Sequence, residues 1–70
     1  MQTKKTMTLN LTDEEMQMIE ALARQKDVSK TAIVKSAIRL FHVISSRMAN
    51  GEKIFTEDAE NGEKAELLFL

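Results

Sequence analysis

The sequence predicts a mostly α-helical chain that opens with one short strand, closes in a hairpin-like appendage and is built as a homodimer. Three observations predict it. Residues 5–11 alternate between polar and apolar, the two-residue period of a strand with one greasy face and one polar face. Two amphipathic stretches follow, each opened by a helix-start residue. No further strand candidate occurs before residue 50, so the first strand lacks a pairing partner in its own chain. A lone strand leaves a row of bare backbone N–H and C=O groups, and the simplest completion is the same strand from a second copy.

Length and composition point the same way. A chain of 70 residues buries too little surface to be comfortable alone. Without cysteine it has no disulfide staple and no thiolate metal site, which leaves oligomerisation. It has no run of about 18 apolar residues and no apolar signal-peptide segment, so the expectation is a cytoplasmic protein with no membrane partner. The net charge of -1 conceals an asymmetry: residues 1–51 hold eight Lys/Arg against five acids, whereas residues 52–70 hold two Lys against six acids. A basic body over residues 1–50 therefore carries an acidic tail over residues 51–70.

The first strand spans Lys5 to Leu11, with Met7, Leu9 and Leu11 on one face and Thr6, Thr8 and Asn10 on the other. Thr12 is a good N-cap, and Glu15 three residues on can complete a capping box. Asp13, Glu14 and Glu15 also suit the positive end of a helix dipole. The first helix should run to about Gln25, with Met16, Ile19, Leu22 and Ala23 on its apolar face and Met18 at the edge. Lys26-Asp27-Val28 is a tight connection, and Ser29 caps a second helix expected over Lys30–Met48. There Ile33, Val34, Ala37, Ile38, Leu40, Phe41, Ile44 and Met48 cover an apolar arc wider than one neighbouring helix needs. Thr31, Lys35, Arg39, His42 and Ser46 form the opposite face. Asn50 or Gly51 can take the left-handed C-cap conformation.

Strand-like pieces at 53–56 and 65–70 flank Asn61-Gly62, a strong two-residue hairpin signal. A strict two-residue turn pairs Phe55 with Leu68 and Ile54 with Phe69. It also sets Glu60 against Glu63 and Glu57 against Glu66, which is unfavourable. The expected hairpin is closed at its apolar ends and loose at its acidic tip.

Two copies of the opening strand, paired antiparallel, form a ribbon whose exposed face carries Thr6, Thr8 and Asn10 twice over. The major groove of B-DNA admits a two-stranded ribbon. Asn can make a bidentate contact to adenine, and Thr can donate, accept or lay its methyl on thymine. Thr also favours strands in its own right, so taken alone this row reads first as a solvated strand face. Lys4 and Lys5 bring charge to the ribbon's end. Ser29, Lys30 and Thr31 sit at a helix N-terminus, a natural phosphate site, and such contacts position a protein on the duplex without reading sequence. Capping by Ser29 holds in either case.

Strand, helix, a short turn into Val28-Ser29-Lys30-Thr31-Ala32-Ile33, then helix: this order over residues 4–48 resembles the ribbon-helix-helix family of bacterial and phage DNA-binding proteins, the Arc, MetJ and CopG group. The resemblance implies an intertwined homodimer with an intermolecular two-stranded antiparallel ribbon in the major groove. It implies base reading by Thr6, Thr8 and Asn10 and phosphate binding by Ser29, Lys30 and Thr31; Lys4 and Lys5, flanking the polar row, are expected to add phosphate contacts through their charge. The dimer core is expected from Met7, Leu9, Leu11, Ile33, Ala37, Leu40, Phe41 and Ile44. Members often have a glycine in the inter-helix turn, where this chain has Asp27, and an Arg or Lys among the readers, which this chain lacks. The expected function is a sequence-specific transcriptional regulator, a repressor, whose partners are operator DNA and a second copy, with room for higher-order assembly on DNA.

Other functions fit less well. One histidine, no cysteine and no Gly-rich phosphate loop argue against an enzyme, a metal site or a cofactor, and His42 on a polar helix face reads as solvated. The alternative function is an antitoxin whose tail binds a toxin protein while its ribbon autoregulates the operon. A helical interaction module with no DNA role is the third reading.

Overall fold

The computed structural model describes residues 3–68. It is mostly helical, with α1 over Asp13–Lys26, α2 over Lys30–Ala49, and a two-stranded antiparallel sheet of β1 (Phe55–Glu57) and β2 (Lys64–Glu66). The chain divides into two units, Met1–Val34 and Lys35–Leu70.

In the first unit, residues 3–12 form neither helix nor strand. The short N-terminal strand expected over 5–11 is therefore corrected: a strand exists through the bonds of a neighbouring strand, and this chain supplies none there. Nor do the two faces separate by burial. Met7 is 74% exposed, Leu9 52% and Leu11 37%, and Thr6, Thr8 and Asn10 are exposed as well.

α1 starts as its sequence dictates. The Glu15 N–H donates to Thr12 Oγ1 at 3.1 Å, and the Thr12 N–H donates to Glu15 Oε1 at 2.9 Å, a complete capping box. Three acids in the first turn and Arg24 and Lys26 in the last agree with the helix dipole. The helix ends in a Schellman motif: the Val28 N–H donates to the Ala23 carbonyl (3.0 Å), and the Asp27 N–H to that of Arg24 (3.3 Å). That motif puts Asp27 in the left-handed region, φ 54 and ψ 50. The apolar stripe is graded. Ala23 is buried and Ile19 half-buried, while Met16 and Leu22 stay exposed.

α2 is capped by Ser29, whose Oγ accepts from the Ala32 N–H at 3.0 Å. It ends in the same motif as α1: the Glu52 N–H donates to the Arg47 carbonyl (3.1 Å), and the Gly51 N–H to that of Met48 (3.0 Å). The left-handed position falls on Gly51, φ 88, and not on Asn50. An exposed Arg47–Glu52 ion pair at 3.4 Å spans this end. Along α2 only Ile33 is buried; Ala32, Val34 and Ile44 are half-buried. Ile33 and Ala23 are the only buried apolar residues among those described.

The second unit ends in the hairpin, and its register differs from the expected one. Phe55 lies opposite Glu66, Thr56 opposite Ala65 and Glu57 opposite Lys64. The Ile54 carbonyl accepts from the Leu67 N–H at 2.7 Å; its expected partner, Phe69, lies outside the described residues. The shift moves each partner by two positions, so every side chain keeps its face. It also replaces the repulsive Glu57–Glu66 pairing with Glu57 opposite Lys64.

The turn chemistry drives the same choice. A two-residue type I′ turn needs positive φ at both central residues, and of Asn61-Gly62 only Gly62 has it, φ 73. The chain instead makes a longer turn organised by Asp58. The Asp58 N–H donates to the Glu63 carbonyl (2.7 Å), and the Gly62 N–H donates to the Asp58 carbonyl (2.8 Å). Asp58 Oδ1 accepts from the N–H groups of Glu60 (2.8 Å) and Asn61 (3.2 Å), and Asn61 Oδ1 from that of Glu63 (2.9 Å). The acidic tip, expected to be loose, is the most densely hydrogen-bonded part of the appendage.

Candidate nucleic-acid interface

Two sets of residues were expected to meet DNA. In the first, Lys4, Lys5, Thr6, Thr8 and Asn10 are all exposed. Their side chains have no hydrogen bond or ion pair among the described residues. Their backbone lies outside any ladder, so its N–H and C=O groups remain available to a second strand. The capping box at Thr12 sets a defined boundary between this extended run and α1.

The second set surrounds the start of α2. A helix start leaves four N–H groups without intrahelical acceptors. Here Ser29 Oγ takes that of Ala32, and the first intrahelical bond runs from the Ile33 N–H to the Ser29 carbonyl at 3.2 Å. Those of Lys30 and Thr31 have no acceptor among the described residues. Ser29, Lys30 and Thr31 are all exposed, and α2 has no acid in its first turn to oppose an anion. Hydroxyls, one ammonium group and outward N–H groups can together hold a phosphate oxygen. No hydrogen bond or ion pair joins this set to residues 4–10.

The expected dimer core divides unevenly. Ile33 is buried and Ile44 half-buried. Met7, Leu9, Leu11, Ala37, Leu40 (61% exposed) and Phe41 are exposed in the single chain. The apolar arc is wider than sequence reasoning drew it. Val43, 53% exposed, sits three residues beyond Leu40 and so on the adjoining strip of the helix; that spacing is the signal that could have found it.

His42 is exposed, and its backbone carbonyl accepts from Ser46 Oγ at 2.9 Å. No group of three or more metal-ligating side chains occurs among the described residues. No helix among them is long and apolar enough to cross a membrane. Compared with known protein families, curated proteins and solved structures, this chain matches none.

Proposed function

We propose that two copies of this chain pair their 5–11 segments into an antiparallel ribbon, and that the dimer is a sequence-specific DNA-binding transcriptional regulator, a repressor. The reading follows the ribbon-helix-helix resemblance. One observation carries it: an alternating segment without a ladder partner in its own chain, with Met7, Leu9 and Leu11 exposed, leads directly into a firmly capped helix. Fully burying an exposed side chain of this size is favourable by roughly 1.5–3 kcal/mol, most of which is still to be gained at Met7 and less at Leu9 and Leu11. Pairing with a twin against the bare arc of α2 removes them from water and satisfies both backbones. The ribbon's other face then presents Thr6, Thr8 and Asn10 to base edges, while Ser29, Lys30 and Thr31 hold the flanking phosphates and Lys4 and Lys5 add charge.

The test combines sedimentation equilibrium with fluorescence anisotropy on DNA from upstream of the chain's own coding region. The expected result is a dimer whose affinity for one sequence exceeds that for random DNA and falls steeply with salt. A monomer that binds DNA, or a dimer with no salt-dependent binding, would overturn the proposal.

A second reading makes the tail a toxin-binding surface, with the ribbon autoregulating the operon. It draws on the exposed Phe55, Leu67 and Leu68 of the appendage, the last 81% exposed. Co-purification of the protein encoded beside it, lost on removing residues 51–70, distinguishes this reading.

A further inference from the structure

Charge is segregated by element in this chain. α2 carries Lys30, Lys35, Arg39 and Arg47 with no acid at all, whereas residues 52–68 carry six acids and two lysines. Formal charges of +4 and -4 therefore stand on consecutive parts of the sequence. Lys35, Arg39 and His42 follow one another at four- and three-residue spacing, which places them on one helical stripe. All three are exposed. Each side chain lacks a hydrogen bond or ion pair among the described residues, where the only ion pair is Arg47–Glu52.

The acids of the appendage are equally unspent. Asp58 is committed to its turn, but the carboxylates of Glu57, Glu60 and Glu63 have no partner among the described residues. The hydrogen-bonded turn holds them on a defined scaffold. A shallow, open depression on the hairpin is lined by Glu57, Asp58 and Glu63 together with Lys64, so acids outnumber the single cation there. Within the Lys35–Leu70 unit, stripe and hairpin leave each other's charges unpaired, so both remain open to a complementary surface on another molecule.

We infer that the acidic hairpin of one copy docks on the Lys35–Arg39–His42 stripe of a second copy, as a contact between dimers. The contact does not require that the ribbon bind DNA. Joining copies through two different surfaces, it is a heterologous contact, which builds a ring or an open chain of dimers according to its rotation. Complementary potentials set the partner and the register, and salt weakens the contact because all the groups are exposed.

The test is sedimentation velocity of the full chain without DNA at low and high salt, with charge reversals on each side. Species larger than the dimer are expected at low salt and lost at high salt. K35E/R39E and E60K/E63K should each weaken the association by at least roughly fivefold while leaving the helical circular dichroism unchanged. Neither pair disturbs the Glu57–Lys64 pairing. Mixing the two variants, or combining all four changes in one chain, should restore association. Absence of larger species at low salt, or reversal pairs that do not rescue each other, overturns the inference. So does a stripe whose reversal weakens only DNA binding, since its partner would then be nucleic acid.

Discussion

Asp27 is a negatively charged residue in left-handed backbone at the C-terminal end of α1, and both facts work against it. A side chain in that conformation is strained by about 1–2 kcal/mol, less for Asp and Asn, and the end of a helix repels negative charge. Gly51 fills the equivalent place after α2 without either cost. Asp27→Asn should therefore raise the unfolding free energy obtained from urea titration by about 0.3–1 kcal/mol. Asp27→Val should lower it by at least about 1 kcal/mol. If both substitutions are neutral, the left-handed connection is not held in solution. Under the proposed DNA binding, substitutions at single residues separate reading from clamping. Thr8→Ala and Asn10→Ala should relax sequence preference, each costing roughly 1–3 kcal/mol on the preferred site and little on random DNA. Lys30→Ala should weaken binding to every sequence and reduce the salt slope by about one unit. Anisotropy titrations across a salt series distinguish the two patterns; identical patterns would mean that the roles are misassigned.

The hairpin and the helices differ in what holds them. Each helix has a side-chain N-cap and a Schellman end, so its limits are local. The hairpin depends on Asp58 and Gly62. Asp58→Ala removes two side-chain hydrogen bonds, worth about 0.5–1.5 kcal/mol each. Amide exchange at Gly62 and Leu67 should then lose protection while helix content stays constant. Gly62→Ala should act similarly through the backbone alone, since nothing lies within 4 Å of the place its Cβ would occupy. Protection that survives both changes would show that the hairpin is held from outside, by α2 or by a partner. The arc on α2 poses the opposite problem: Ile38, Leu40 and Val43 are each more than half exposed, far more than a surface helix in a finished core leaves bare.

With Ala23 and Ile33 the only buried apolar residues described, the protein's stability depends on its concentration under the proposed dimer. The melting temperature should rise with each tenfold increase in protein, as mass action requires when folding and association are coupled. Leu9→Glu should abolish that dependence and end DNA binding together; a melting point indifferent to concentration in the native chain contradicts the dimer. The acidic appendage should also bias docking by keeping its own side away from phosphates. Truncation after Asn50 removes six acids and two lysines, and should raise affinity for random DNA at low salt. Equal affinities with and without the appendage would remove that role.

Local chemistry was readable in advance. Thr12, Glu15 and Ser29 cap where their side chains can reach, and the helix ends expected at Gln25 and Met48 lie one residue short of the observed Lys26 and Ala49. The exposure of Ser29, Lys30 and Thr31 agrees with their polar ends at a helix start, whereas that of Thr6, Thr8 and Asn10 distinguishes nothing, because Met7, Leu9 and Leu11 are exposed beside them. Pairing was not readable. Two hairpin registers keep the same faces, and they differ only in which charges meet and in whether Asn61 must adopt positive φ. The alternation of residues 5–11 states what the segment can become, while a strand requires the hydrogen bonds of a neighbour that no single copy contains. Periodicity and caps act over three or four residues along the chain; register and strand formation depend on atoms distant in sequence or in another molecule, and the folded arrangement alone specifies those.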